Sequence, residues 1–197
     1  MLIVTSVITN TEDTKNRRVK MKKVFIPLAE GFEEIETFAV VDILRRAGID
    51  VVTAGLQGTI VKSASNVKVI ADKKLEEINN DYDAIVLPGG NPGYINLQKS
   101  QKIMNMVKDF DNKNKVVAAI CASPTILAKL GLLEDKKATV FPGLERELPR
   151  PRSAKVIADG NIVTSQGPGT AIDFALKLVE ILEGKNKASA IKSEIVY

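Results

Sequence analysis

From residue 22 onward, short apolar runs alternate with stretches in which apolar residues recur every three or four positions. The first kind predicts strands and the second amphipathic helices. "KKVFIPL" (22–28) predicts a buried strand. "EEIETFAVVDILRRAG" (33–48) predicts a helix, with acids at its start, Arg45 and Arg46 in its last turn and Gly48 at its end. "IDVVTAGL" (49–56) predicts the next strand, and "GTIVKSASNVKVIAD" (58–72) one or two short strands, with a hairpin as one arrangement. "DAIVLPGG" (83–90) predicts a strand running into a glycine turn, and "SQKIMNMVKDFDNKN" (100–114) an amphipathic helix. "KVVAAIC" (115–121) is continuously apolar, as a parallel strand covered on both faces would be. "ASPTILAKLG" (122–131) predicts a short helix with Pro124 in its first turn, where proline is tolerated. "KATVF" (137–141) and the two halves of "KVIADGNIVTS" (155–165) predict strands, the last two joined by an Asp159-Gly160 turn. "GPGTAIDFALKLVEILEG" (167–184) predicts the last long helix, with Thr170 and Asp173 spaced as a variant capping box.

Strand–helix alternation from end to end predicts an α/β fold: an open, mostly parallel sheet with helices on both faces. No internal repeat and no Pro/Gly/Ser-rich linker divides the chain, so residues 22–197 read as one domain. Residues 1–21 read as a dispensable N-terminal extension, with Met21 an alternative start. "MLIVTSVITN" has no positive segment before it and is short for a signal peptide.

Composition narrows the chemistry. The single cysteine among 197 residues can form no internal disulfide, which fits a reducing compartment such as the cytoplasm. The formal net charge is +4, but apart from "KNRRVKMKK" (15–23) the cations are scattered and no aromatic residues interleave them. Nothing in this pattern calls for a nucleic-acid partner, and no apolar run is long enough to span a membrane. The chain contains no histidine. Histidine metal sites, Ser–His and Cys–His pairs and a histidine pH switch are therefore excluded. Acid–base work near neutral pH falls to carboxylates, the thiol, Tyr, Lys or water.

Ligands of such sheets sit beyond the carboxyl ends of the strands, where the turn after Leu28, the "PGGNPG" loop (88–93) and the turn at Cys121 converge. Cys121 ends an apolar strand and a helix follows at once. Such an elbow predicts a thiol facing the helix's free N–H groups, with its pKa lowered. A small buried hydrophobe is the alternative reading. Glu36 shares the predicted inward stripe of its helix with Val40, Ile43 and Ala47. A carboxylate there is costly, so burial predicts a raised pKa and a protonated side chain able to donate to a thiolate. Capping a backbone group is the alternative. The "PGGNPG" loop fits either an oxyanion hole or an ordinary turn. "SQGPGT" (165–170) opens a helix but lacks the Lys-[ST] of a P-loop and the spacing of GxGxxG.

Together, "LAEGFEEIETFAVVDILRRAGIDVVTAGL", "DAIVLPGG", "AAICASPT" and "TSQGPGTAIDFALKLVEILEGKNKA" resemble the ThiJ/PfpI/DJ superfamily, on the branch of the Parkinson-associated protein deglycase and bacterial YajL. The resemblance covers nearly everything after Met21. It implies a flavodoxin-like sandwich, usually a homodimer, in which Cys121 is the reactive, easily oxidised elbow cysteine and Glu36 the protonated acid beside it. It places the oxyanion-type amides at Gly90 and at Cys121 or Ala122, and the pocket around Gly89, Asn91, Ser123, Phe141 and Pro168. Activities described in the family are cofactor-independent conversion of methylglyoxal to lactate, deglycation of amino groups and redox-responsive chaperoning. The implied substrate is a small aldehyde or glycated molecule, with neither metal nor cofactor. The sequence departs from the deglycase twice: Phe141 stands where that protein has histidine, and Ser123 where it has glycine. Phe141 puts histidine-assisted proton transfer in doubt. The Ser123 hydroxyl reads either as a helix cap, the favoured reading, or as an extra donor.

Overall fold

The computed structural model describes residues 21–79 and 81–197. The N-terminal extension expected over residues 1–21 lies, apart from Met21, outside the described residues.

Seven strands form one sheet: β1 (Lys23–Leu28), β2 (Asp50–Gly55), β5 (Lys73–Lys74), β6 (Ala84–Leu87), β7 (Val116–Ile120), β8 (Val156–Asp159) and β9 (Ile162–Ser165), in the order β5-β2-β1-β6-β7-β9-β8. All pairings are parallel except β8 with β9. β3 (Ile60–Lys62) and β4 (Lys68–Ile70) form a separate antiparallel hairpin, one of the arrangements the sequence allowed.

The alternation of side chains along each central strand explains why these runs are apolar throughout. Val24, Ile26 and Leu28 of β1, Val86 of β6 and Ile120 of β7 bury one face, against α1 (Glu34–Arg46) and α5 (Ala171–Glu183). Phe25, Ile85, Leu87, Val117 and Ala119 bury the other, against α3 (Gln101–Asn112) and α4 (Pro124–Lys129). Neither face meets water, so no polar alternation is needed. The predicted α/β sandwich is the fold observed, a flavodoxin-like arrangement.

Four local expectations differ from the structure. "KATVF" is not a strand: only Ala138 pairs, in an isolated bridge with Pro151. Two helices were not anticipated. α2 (Gly93–Lys99) starts behind Pro92 and Gly93, which read as turn residues. α6 (Lys185–Glu194) is mostly polar and buries only Ile191. The capping box at Thr170 is absent: its hydroxyl donates to the Gly167 carbonyl at 2.9 Å rather than capping α5.

Candidate active site

β1, β6, β7 and β9 are neighbours, and the site forms where the chain leaves their carboxyl ends. The chain proceeds from β1 to β2 on one side and returns through β6 on the other, so this is a topological switch point. The exit of β1 supplies the start of α1. The exit of β6 supplies Gly89 and Gly90, that of β7 supplies Cys121, and that of β9 supplies Gly167.

Cys121 sits in the left-handed region at φ 64°. A non-glycine residue there is strained and persists only where its surroundings hold it. Two backbone bonds do so: Cys121 N–H donates to Ser165 O at 3.0 Å, and Phe141 N–H donates to Cys121 O at 2.8 Å. With the main chain tied on both sides, the half-buried sulfur is turned toward the β6 loop. There the backbone amides of Gly90 and Ala122 act to lower its pKa. These are two of the amides that the family resemblance assigned to an oxyanion-type role.

Glu36 is 1% exposed. It lies in the first turn of α1, whose N-cap is Glu33: Glu33 Oε2 accepts the Glu36 N–H at 2.7 Å, and Glu33 N–H donates to Gly89 O at 3.1 Å. Helix start and β6 loop are thus one unit. Glu36 Oε2 accepts the Gly89 N–H at 2.8 Å. Its Oε1 is buried and receives no N–H or O–H from the described residues. Burial raises the Glu36 carboxyl to about 7, opposed by the Gly89 bond and by the bond to Cys121, with Glu33 adding a further upward push. A buried carboxyl with a raised pKa on an inward stripe is what the sequence predicts.

The thiol departs from expectation. Cys121 is pushed up to about 12, first by burial and then by the charge and hydrogen bond of an ionised Glu36, against the lowering by the Gly90 and Ala122 amides. The helix-start argument omitted the neighbouring carboxyl. Sulfur and carboxyl lie next to each other at Gly89, so an ionised Glu36 disfavours a thiolate beside it.

Glycine is required at Gly89 by close approach. A Cβ there would lie 2.5 Å from Cys121 Cβ, 2.8 Å from Glu36 Oε2 and 3.0 Å from Sγ. Gly90, at φ 93°, would place a Cβ 2.3 Å from the Gly31 carbonyl. Ser123 neither caps α4 nor reaches the sulfur: its buried hydroxyl donates to Pro88 O at 2.6 Å, a strut under the β6 loop. This corrects the favoured capping reading. Phe141 is 44% exposed and its ring lies against Gly167, where a Cβ would be 3.3 Å from Phe141 Cδ2 and 3.9 Å from Glu36 Oε1. Pro168 begins a 3-10 turn just beyond, half-buried. Asn91 is exposed on the rim and hydrogen-bonds neither member of the pair. Sequence reasoning missed Gly167, Glu33 and Ser165. Gly167 was visible in "SQGPGT" but was weighed there only as a phosphate turn.

Comparison with known proteins identifies the family. The model of the DJ-1/PfpI family matches residues 22–181. The Parkinson disease protein 7 homolog of Danio rerio is 38% identical over 183 residues, covering 89% of this chain and 97% of that protein. Protein DJ-1 homolog B of Arabidopsis thaliana is 42% identical over 170 residues, 84% of this chain, which spans only 39% of that longer relative. The structure of oxidized DJ-1 from Toxoplasma gondii superposes with a TM-score of 0.87 at 40% identity, covering 89% of this chain and 98% of that one. On the family match, the sequence identities and the shared fold alike, the chain belongs to the DJ-1/PfpI family.

Proposed function

We propose that the protein is a cysteine-dependent, cofactor-independent enzyme of small aldehydes, of the glyoxalase or deglycase type, and that it works in the cytoplasm. One observation carries the reading: the Cys121 sulfur and the buried Glu36 carboxyl meet at Gly89, where a Cβ would lie 3.0 Å from Sγ and 2.8 Å from Glu36 Oε2.

In the reacting form Glu36 holds the proton and sulfur the charge. The thiolate attacks the aldehyde carbon of methylglyoxal, and the C=O pair moves onto oxygen. Backbone amides at Gly90 and Ala122 stabilise that oxygen, and a proton converts it to a hemithioacetal. Glu36, once ionised, removes the proton from the former aldehyde carbon and returns one to the adjacent carbon, giving a thioester of lactate. Water then hydrolyses the thioester to lactate and restores the thiol. Every atom comes from methylglyoxal and water, and no electron acceptor is needed. A group that both takes and gives protons works best with a pKa near the working pH, which Glu36 has. No histidine assists, so turnover is modest.

The test is methylglyoxal consumption by the wild type, Cys121→Ala and Glu36→Gln. Both variants lose turnover by about a hundredfold or more. Wild-type turnover that survives in Cys121→Ala overturns the reading.

A second reading rests on the same sulfur. The Toxoplasma relative was captured oxidized, and here the only thiol is partly exposed, beside backbone amides of Gly90 and Ala122 that act to lower its pKa. Thiolate attack on peroxide would give a sulfenic acid and release hydroxide. Stoichiometric oxidation without aldehyde turnover favours this sensor role.

A second copy of the chain is the proposed partner. Ile35 and Phe38 are exposed one turn apart on α1, an apolar pair that a homodimer would cover.

A further inference from the structure

A second cleft opens at the same edge of the sheet, beyond β1 and β2 and away from Cys121. It encloses about 500 Å³, within the range of small-molecule sites. Lys62 and Lys99 bring positive charge to it, Asn96 and Ser100 bring hydrogen-bonding groups, and Leu56 and Val61 bring apolar wall.

The walls are fixed by bonds that do not depend on a ligand. Gly31 N–H donates to Lys62 O at 2.8 Å, and Leu56 N–H donates to Leu28 O at 2.9 Å. Asn96 Nδ2 donates to Glu30 O at 2.9 Å, which leaves its second N–H available. The Ser100 hydroxyl oxygen caps α3 by accepting the Ile103 N–H, so its own hydrogen is free to donate. The positive end of the α3 dipole therefore adjoins the cleft.

Charge in the cleft is unbalanced. Among the described residues Glu30 is the only acid lining it, and it pairs with Lys62 at 3.4 Å. Lys99 has no acidic partner among the described residues. Across the hairpin, Lys68 sits directly opposite Lys62, and like charges in that position repel. An anion in the cleft would relieve both.

We propose that this cleft binds a small phosphate ester. Two lysines with scattered N–H and O–H donors suit a tetrahedral dianion, whereas a carboxylate is better matched by the planar fork of an arginine, and among the described residues no arginine lines the cleft. The volume exceeds that of phosphate alone, and the Leu56–Val61 wall takes the organic remainder. The loop 29–33 separates this cleft from the elbow, so the site is distinct from the reacting sulfur.

Calorimetric titration of the full chain with ribose 5-phosphate, ribose and inorganic phosphate tests the proposal. Ribose 5-phosphate saturates at one per chain in the millimolar range or tighter, inorganic phosphate binds more weakly, and ribose gives no saturable heat. Lys99→Gln weakens binding about fivefold or more. Lys62→Gln does the same, and Lys192→Gln on α6 changes nothing. Protein capped at Cys121 with iodoacetamide binds as well as uncapped protein. Absence of saturable binding, equal binding by Lys99→Gln, or loss of binding on capping each overturns the proposal.

Discussion

Gly89 separates a thiol from a carboxyl by the width of a missing methyl group. Replacing it with alanine drives Cβ into Cys121 Cβ, Glu36 Oε2 and Sγ together. Gly89→Ala is expected to cost about 1–3 kcal/mol in denaturant unfolding, and the pair moves apart, so the pH profile of iodoacetamide alkylation changes shape. Glu36 gives a second residue-level expectation. Its pKa is about 7 in the folded protein against an ordinary 4.5. A raised carboxyl contributes stability that is fully present below about 4.5 and lost as pH rises through about 7. Glu36→Gln removes that dependence, since a neutral amide occupies the site at every pH. Thermal unfolding of variant and wild type should therefore diverge between pH 4.5 and 7, the variant gaining about 2–3 kcal/mol relative to wild type by neutral pH. In alkylation, wild type shows two steps, one for each charge the pair accepts. The variant shows one, below 12, because both Glu36 contributions that push the thiol up are gone.

At the scale of elements, the elbow depends on neighbours far apart in sequence. Ser123 hangs the β6 loop from the first turn of α4. Ser123→Ala leaves the buried Pro88 carbonyl without that donor and should lower stability by about 1–2 kcal/mol in chemical denaturation. Such contacts mark the limit of what was legible beforehand. The central strands were readable because burial on both faces leaves an unbroken apolar run. α1 was readable because acids, arginines and Gly48 punctuate an apolar stripe. Glu36 stood out as the one carboxyl on that stripe, and Cys121 as the last residue before a helix. The direction of the Ser123 hydroxyl was not readable, since a serine before a helix normally caps it. Nor was the rise of the thiol pKa, which needs the distance between α1 and β7. α6 stayed hidden because its ten residues bury one side chain, leaving almost no periodicity to detect.

At the scale of the whole molecule, the described residues contain no helix long and apolar enough to cross a membrane. The proposed homodimer turns on apolar residues left at the surface, Phe38 among them. Phe38 packs edge-on against the buried Phe32 at 6.1 Å yet stays 40% exposed. Phe38→Glu places a charge on that face. Sedimentation should show the wild type as a dimer and the variant as a monomer at micromolar concentration, with the elbow chemistry measured separately in each.

The buried carboxyl has one more consequence, for the number of protons the protein carries. Histidine normally supplies most of a protein's buffering between pH 6 and 8, and this chain has none. Among the described residues, the Glu36 carboxyl, raised to about 7, exchanges a proton in that window. A potentiometric titration then reads the ionisation of the site as bulk proton release, about one per chain, and alkylation of Cys121 alters that count without a dye, a label or a substrate.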